Sequence, residues 1–376
     1  MNPTTEEELA EIVAGAAGPL SVQGGGTRPI GHAVDGDVLS TSSLSGITLY
    51  EPGALTMVAQ AGTPVAEIEA ALADEKQMLA FEPMDHRKLL GTDGTPTIGG
   101  VVAGNVSGPR RVKAGACRDF LLGVRFVDGT GTVIKNGGRV MKNVTGYDLV
   151  KLMAGSRGTL GVLSEVSFKV LPRPEAVACL LLHGLSVKDA VAAMSTALTS
   201  PYDVSGAAHV PIGLDGTPVT MIRLEGFEDS VAYRASELSE RLAKFGAAEI
   251  ERRMEGPEST AAGWAWVRDA ATFAGTDEDV WRFSVRPSEA PALIEGLGDA
   301  RVLLDWGGGL VWAACAAGRD LRSEGLSGHA TLVRASDETK SRLPVFQPEA
   351  APLAKLAEDL RQKFDPRGIL NPGLMG

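Results

Sequence analysis

Three stretches of this chain place glycines where chemistry needs bare backbone. Gly24-Gly25-Gly26-Thr27 follows a short apolar run and leads directly into Arg28. Thr97-Ile98-Gly99-Gly100 is continued by Gly104-Asn105 and Ser107, and "GSRGTLGV" at 155–162 carries Gly158, Gly161 and Val162. Successive N–H groups in a glycine-rich turn form a concave, partly positive nest suited to a pyrophosphate. A helix beginning in the second stretch would add its N-terminal dipole, and the third would let backbone amides approach an adenine or ribose. A flexible turn is the plainer reading of the first stretch. Other phosphate-binding patterns fail on spacing. A nicotinamide fingerprint needs G-x-G-x-x-G opening a helix, yet residues 24–26 run into Pro29, and Gly129 and Gly131 sit in a hairpin turn. No G-K-[ST] occurs, so a P-loop is absent.

Few other side chains form a recognisable constellation. Arg110, after Gly108-Pro109, could neutralise a pyrophosphate or a substrate carboxylate through its planar fork, or form a solvated surface pair with Arg111. Cys117, Cys179 and Cys315 lie too far apart in sequence for a zinc or iron–sulfur pattern and read as small apolar residues. His183, His209 and His329 stand alone, as surface or satisfied structural histidines, and no catalytic residue is assigned. A protein-bound metal is not expected.

Strands and turns must hold the glycine stretches. "PLSVQ", "DVLST", "ITLY" and "TMVAQAG" read as strands, with a helix from Thr63 as cap and Pro64 as first residue. "FLLGVRFVDGTGTVIKNGG" reads as a hairpin, "GYDLVKLMAGS" as a short helix and "TLGVLSEVSFKVL" as a strand. The N-terminus reads as a helix with Thr5 and Glu8 spaced as a capping box. "PRPEAV" marks a boundary, beyond which strands and helices alternate as an α+β domain with helices on one face of a sheet. A tail helix puts Leu353, Leu356, Leu360 and Phe364 on one stripe.

Composition narrows the partners. The 376 residues are enough for two domains. A net charge of −11 argues against a nucleic-acid surface, and no apolar run reaches the ~18 residues of a membrane span. The N-terminus lacks the pattern of a signal peptide, so a cytoplasmic location is expected, with any membrane association at its inner face supplied by partners. Glycine occupies 16 of the 71 positions at 91–161, well above the usual ~7%. These glycines stand among apolar residues, as backbone packed against a flat or phosphorylated ligand would.

"GGGT", "PTIGGVVAGNVSG", "GVRFVDGTGTVI", "GYDLVKLMAGSRGTLGVLSEV" and "DPRGILNPG" occur in this order. Together they resemble the FAD-binding domain shared by vanillyl-alcohol oxidase-like and D-lactate dehydrogenase-like flavoproteins. "SGPRRVKAGACRDFLLGV", "KNVTGYD", "WRFSV" and "DWGGGLVW" resemble the FAD-binding (E-type) subunits of bacterial glycolate oxidase. The resemblance implies an α+β fold in three parts. A two-subdomain FAD-binding (PCMH-type) domain spans 1–172, a smaller α+β substrate or cap domain spans 173–345, and a tail at 346–376 returns to the FAD domain. It implies FAD contacts from Gly24, Gly25, Gly26, Thr27, Thr97, Ile98, Gly99, Gly100, Gly104, Asn105, Ser107, Arg110, Gly158, Gly161, Val162 and Asn371. Lys142, Asn143 and Tyr147 fall near the flavin by the same resemblance. Some relatives link FAD through a histidine where this chain has Thr27, so non-covalent FAD is implied.

Catalytically competent relatives also carry a "GHxGDGNxH"-like element, which is absent here. The first expectation is therefore an FAD-carrying subunit that oxidises a small 2-hydroxy acid, glycolate or D-lactate, within a complex. Its partners would be a paralogous FAD-binding catalytic subunit and an iron–sulfur subunit. The alternatives are an autonomous FAD-dependent dehydrogenase and a structural pseudo-subunit.

Overall fold

The computed structural model describes residues 1–138, 146–213, 215–254, 259–323 and 326–375. The chain divides into two compact units. The first comprises Met1–Ser107, Ala116–Arg173 and Pro348–Gly376; the second comprises Gly108–Gly115 and Pro174–Gln347. The excursion Gly108–Gly115 corrects the expected division, which had left it inside the first domain. No described helix is long and apolar enough to cross a membrane.

In the first unit the N-terminal helix Glu6–Gly15 forms because Thr5 caps it, its hydroxyl accepting from the Glu8 N–H at 3.1 Å. The Glu8 carboxylate reaches back to Thr4, not Thr5, accepting from its N–H at 2.7 Å and its hydroxyl at 2.9 Å. Leu9 and Val13, one turn apart, are fully buried with Leu39, Leu44, Val127 and Val162. Each such side chain contributes about 1.5–3 kcal/mol. Behind them lies an antiparallel five-stranded sheet in the order Ile47–Glu51, Thr56–Gln60, Val162–Lys169, Leu121–Val127, Val133–Gly137. Leu20–Gln23 pairs in parallel with Asp37–Ser40, and Leu370 of the tail bridges to Leu20. Arg367 fixes the tail by donating to Ala14 O at 3.1 Å, to Ala16 O at 3.2 Å and to Gly129 O at 2.8 Å. The first two bonds satisfy carbonyls at the C-terminal end of the N-terminal helix, and the third ties in the hairpin turn.

Two details of the first unit differ from expectation. The cap of helix Val65–Asp74 is Pro64, without a side-chain bond. Thr63, fully buried, instead donates to Gln60 O at 2.7 Å and accepts from Gly46 N at 2.9 Å, pinning two loops together. The tail helix Ala351–Phe364 forms, but Leu353 and Leu356 are 58% and 59% exposed.

The second unit is an antiparallel eight-stranded sheet. Strand Ala176–His183 shows why it is covered on both faces. Ala178, Leu180 and Leu182 pack into the main core with helices Val187–Leu198 and Glu228–Leu242. Cys179 and Leu181 point the other way, toward Trp264 and Val267 of helix Thr260–Arg268. Period-two alternation with apolar residues in both registers leaves neither face fit for water. Helices on both faces therefore replace the expected single helical layer.

Candidate functional site

The glycine stretches of the first unit converge, though part of their bareness is used within the protein itself. A Cβ at Gly25 would lie 1.6 Å from the Thr95 carbonyl oxygen, and one at Gly94 would lie 1.7 Å from Gly25 O. At Gly24 the same atom would meet Thr97 Oγ1 at 2.4 Å. Loops 24–26 and 94–97 thus close on each other backbone to backbone, as only glycine permits. Thr27, buried behind them, accepts a hydrogen bond on its carbonyl from Thr92 at 3.2 Å. Gly26 differs: its φ is +70°, and nothing lies nearer its Cβ position than Gln23 Oε1 at 3.8 Å. Of the first nest, Gly26 is the residue that leaves space open.

The second stretch builds the short helix Ile98–Ala103, whose cap Thr97 accepts from Gly100 N at 3.3 Å. Ile98 is fully buried, and a Cβ on Gly99 would strike Ala61 O at 2.7 Å, so these two residues seat the helix on the sheet. Gly100 faces elsewhere, and its Cβ would lie 3.3 Å from Arg28 Nη1. Gly104 N donates to Gly100 O at 3.1 Å. Asn105, at φ +46°, accepts on Oδ1 from Arg118 N at 3.0 Å, while Ser107 accepts from Cys117 N at 2.9 Å. Together these bonds lock the 105–107 turn.

Turn 155–158 rests on the end of that helix through Gly155 N to Val102 O at 3.1 Å and Arg157 N to Ala103 O at 2.9 Å. Asn371 clasps the turn from the tail. Its Oδ1 accepts from Val22 N at 2.7 Å, and its Nδ2 donates to Val22 O at 3.2 Å and Arg157 O at 2.9 Å. Both amide hydrogens are used, so the expected cofactor-contacting side chain is committed to holding Leu20–Gln23 against turn 155–158. Gly158 must lack a side chain because a Cβ would lie 2.9 Å from that same Nδ2. Gly161 packs on Phe126, its Cβ position 2.5 Å from the ring, and the Val162 side chain is sunk in the core. Neither presents a side chain to a ligand.

Arg110 does not join these loops. It belongs to the second unit, where it grips Glu225 as a fork, Nε to Oε2 at 2.9 Å and Nη2 to Oε1 at 2.7 Å. Arg223, 2% exposed, stands 3.5 Å from the same carboxylate and lies over the Trp264 ring. Burial pushes the Glu225 carboxyl up, but the Arg223 charge and the bonds from Arg110 and Ser205 outweigh it and bring it to about 2. Trp306 donates to Gly108 O at 3.0 Å and lies under Arg111, so it too anchors the excursion. The expected pyrophosphate or surface role of Arg110 gives way to an internal ion pair.

His209 is fully buried, not at the surface. Its Nδ1 lies 2.9 Å from Thr220 Oγ1, its Nε2 has no partner, and burial lowers it to about 4, so it is neutral at pH 7. The three cysteines are buried, with Cys179 and Cys315 pushed up by burial to about 12 and about 11. Such thiols are poor nucleophiles and poor ligands. Tyr147 is 88% exposed, and Lys142 and Asn143 lie outside the described residues.

The sequence reading passed over two residues. Arg28 and Arg157 are half-buried among these loops, and Arg28 Nε is sealed from solvent without a hydrogen-bond partner. The signal was present, since each arginine adjoins a glycine stretch, but an arginine in a turn ordinarily reads as a solvated charge. The open backbone at Gly26, next to the half-buried Arg28, fits an anionic, extended nucleotide such as FAD.

Residues 1–137 match a family model described as an FAD binding domain. Glycolate oxidase subunit GlcE of Escherichia coli (strain K12) is 37% identical over 364 residues, covering 95% of this chain and 92% of that protein. Glycolate oxidase subunit GlcD of Bacillus subtilis (strain 168) is 31% identical over 185 residues, covering 48% of this chain and 38% of that protein. Among solved structures, 4-ethylphenol oxidase from Gulosibacter chungangensis superposes with a TM-score of 0.71 at 14% identity, covering 100% of this chain and 88% of that one. That last likeness concerns the fold.

Proposed function

We propose, because the chain belongs to the GlcE family of FAD-binding glycolate oxidase subunits, that it carries FAD in its first unit and serves 2-hydroxy-acid oxidation as one subunit of a complex. The observation that carries this is the near-full-length likeness to GlcE, combined with glycine loops that meet beside the half-buried Arg28. When bound, FAD supplies a two-electron acceptor for the oxidation of glycolate or a related acid to its 2-oxo acid. The chain's own residues do the holding. Gly26 leaves backbone open, Thr97 fixes the helix start, and Asn371 keeps turn 155–158 in register.

Electrons need an exit, and this chain has no cysteine spacing for an iron–sulfur cluster and no nicotinamide fingerprint. A paralogous FAD-binding subunit and an iron–sulfur subunit are the proposed partners. Exposed leucines at 353 and 356 support this reading, since an apolar stripe on a surface helix is a surface that a partner covers. The isolated chain should bind FAD yet oxidise glycolate and D-lactate slowly, and coexpression with both partners should restore dye reduction. Rapid turnover by the purified single chain would replace this reading with the autonomous enzyme.

Attachment is proposed to be non-covalent. Thr27 offers no nucleophilic ring nitrogen and is only 5% exposed. Acid or heat should therefore release all flavin into the supernatant. Fluorescence remaining on the polypeptide band in a denaturing gel would contradict this.

A further inference from the structure

The tail helix Ala351–Phe364 belongs to the first unit, yet none of its residues is buried. Positions 351–360 are all exposed, Leu360 among them at 38%. Its anchors lie in the last turn. Phe364 O accepts from Gly129 N at 2.8 Å, and the Phe364 ring stands 6.1 Å from that of Phe126. A helix shorter than about 15 residues is marginal in water, because packing of its apolar face supplies most of its stability. Here that face exists, with Leu353, Leu356 and Leu360 at i, i+3 and i+7, and it stays exposed.

We propose that this helix is a docking element, whose leucine stripe enters an apolar groove with acidic lips on a partner subunit. The proposal rests on reading the chain as one subunit of a complex. Charge selects the occupant. At 3.6 residues per turn, Arg361 and Lys363 flank the stripe on opposite sides near its C-terminal end. Among the described residues neither forms a salt bridge, whereas Lys355 is matched by Asp359 at 3.3 Å. Pairing with the same helix of a second copy would not supply the carboxylates. Asp359 there is taken by its own Lys355, and Glu358 lies across the helix from the stripe. Nor is such a self-pair large enough. The helix is about 21 Å long, and a strip about 10 Å wide falls well short of the ~800 Å² per partner of a stable interface. A concave groove covers more of the helix, and anchors at i, i+3 and i+7 are the pattern that such grooves read.

The test is coexpression of the tagged full-length chain with the paralogous FAD-binding subunit and the iron–sulfur subunit. The double variant Leu353→Glu, Leu356→Glu should keep the flavin content and melting temperature of the isolated wild type, because both side chains already face water. Its recovery of partner subunits should fall by about ten-fold or more. The double variant Arg361→Glu, Lys363→Glu leaves the leucines in place. It should also weaken recovery, and it should flatten the dependence of recovery on salt. Amide hydrogens at 353–360 should exchange rapidly in the isolated chain and about ten-fold or more slowly in the complex. Partners recovered at the wild-type level by the leucine variant, or a helix left unprotected in the complex, would overturn the docking assignment and leave the complex standing. Wild-type recovery by the charge-reversed variant would overturn the acidic lips. A wild-type dimer in sedimentation that the leucine variant splits would overturn the partner groove in favour of a second copy. Wild type that recovers neither partner would overturn the complex reading, and the docking assignment with it.

Discussion

Gly25→Val is expected to strip flavin from the first unit and to unfold the loop pair at 24–26 and 94–97, leaving the eight-stranded sheet of the second unit folded. The reason is the protein's own backbone. Even the first atom of the new side chain would stand 1.6 Å from Thr95 O, and the reciprocal approach of Gly94 to Gly25 O, 1.7 Å for its Cβ, blocks retreat. Overpacking against movable side chains costs about 1–3 kcal/mol. Here no rotamer relieves the clash, so a loss of about 3 kcal/mol or more is expected. Gly26→Ala is the contrast. Its Cβ would meet nothing closer than 3.8 Å, so its cost is confined to the positive φ, about 1–2 kcal/mol. Flavin absorbance per polypeptide and thermal unfolding followed by circular dichroism measure both effects. Full flavin in Gly25→Val would mean that the loop is only a turn.

In the second unit the largest effect is expected at Glu225. Arg110 and Arg223 share this one carboxylate, whose side chain is 9% exposed. Glu225→Ala removes the one carboxylate that both guanidinium groups share, and breaking a buried pair from one side costs about 3–5 kcal/mol. The pH dependence follows from the same arrangement. The carboxyl titrates at about 2 in the folded protein against an ordinary 4.5, so the folded state favours the charged form. Its contribution is fully present above about pH 4.5 and drains away as pH falls toward about 2. Denaturant titrations at pH 7 and pH 3 should show wild type losing stability between them, with a flatter dependence in Glu225→Gln. An equal pH slope in both proteins would show that Glu225 does not carry the effect.

The site was legible in part, and each gap has a physical cause. Glycine runs next to strand-like segments are a local signal, so the loops at 24–26, 97–100 and 155–158 could be named before any coordinates. What each glycine avoids is not local. Gly25 is bare because of Thr95, Gly158 because of Asn371, and Gly161 because of Phe126. A ligand would produce the same bareness in the sequence. Arg110 shows the converse error, a cation beside a glycine-rich loop whose partner, Glu225, lies 115 positions away.

The sequence by itself determined what depends on near neighbours. Thr5 caps a helix because Glu8 N is three residues on, the hairpin across residues 128–131 follows from its turn chemistry, and alternation marks the strands. Five glycine and turn elements in order were enough to indicate the FAD-binding fold, which the likeness to GlcE supports at the level of family. Only the tertiary structure decided which side chains share a space. It assigned Gly108–Gly115 to the second unit, spent the amide of Asn371 on Val22, and set Arg28 beside Arg157. The energy of a buried charge depends on distance and on the surrounding dielectric, and neither quantity is a property of positions along a chain.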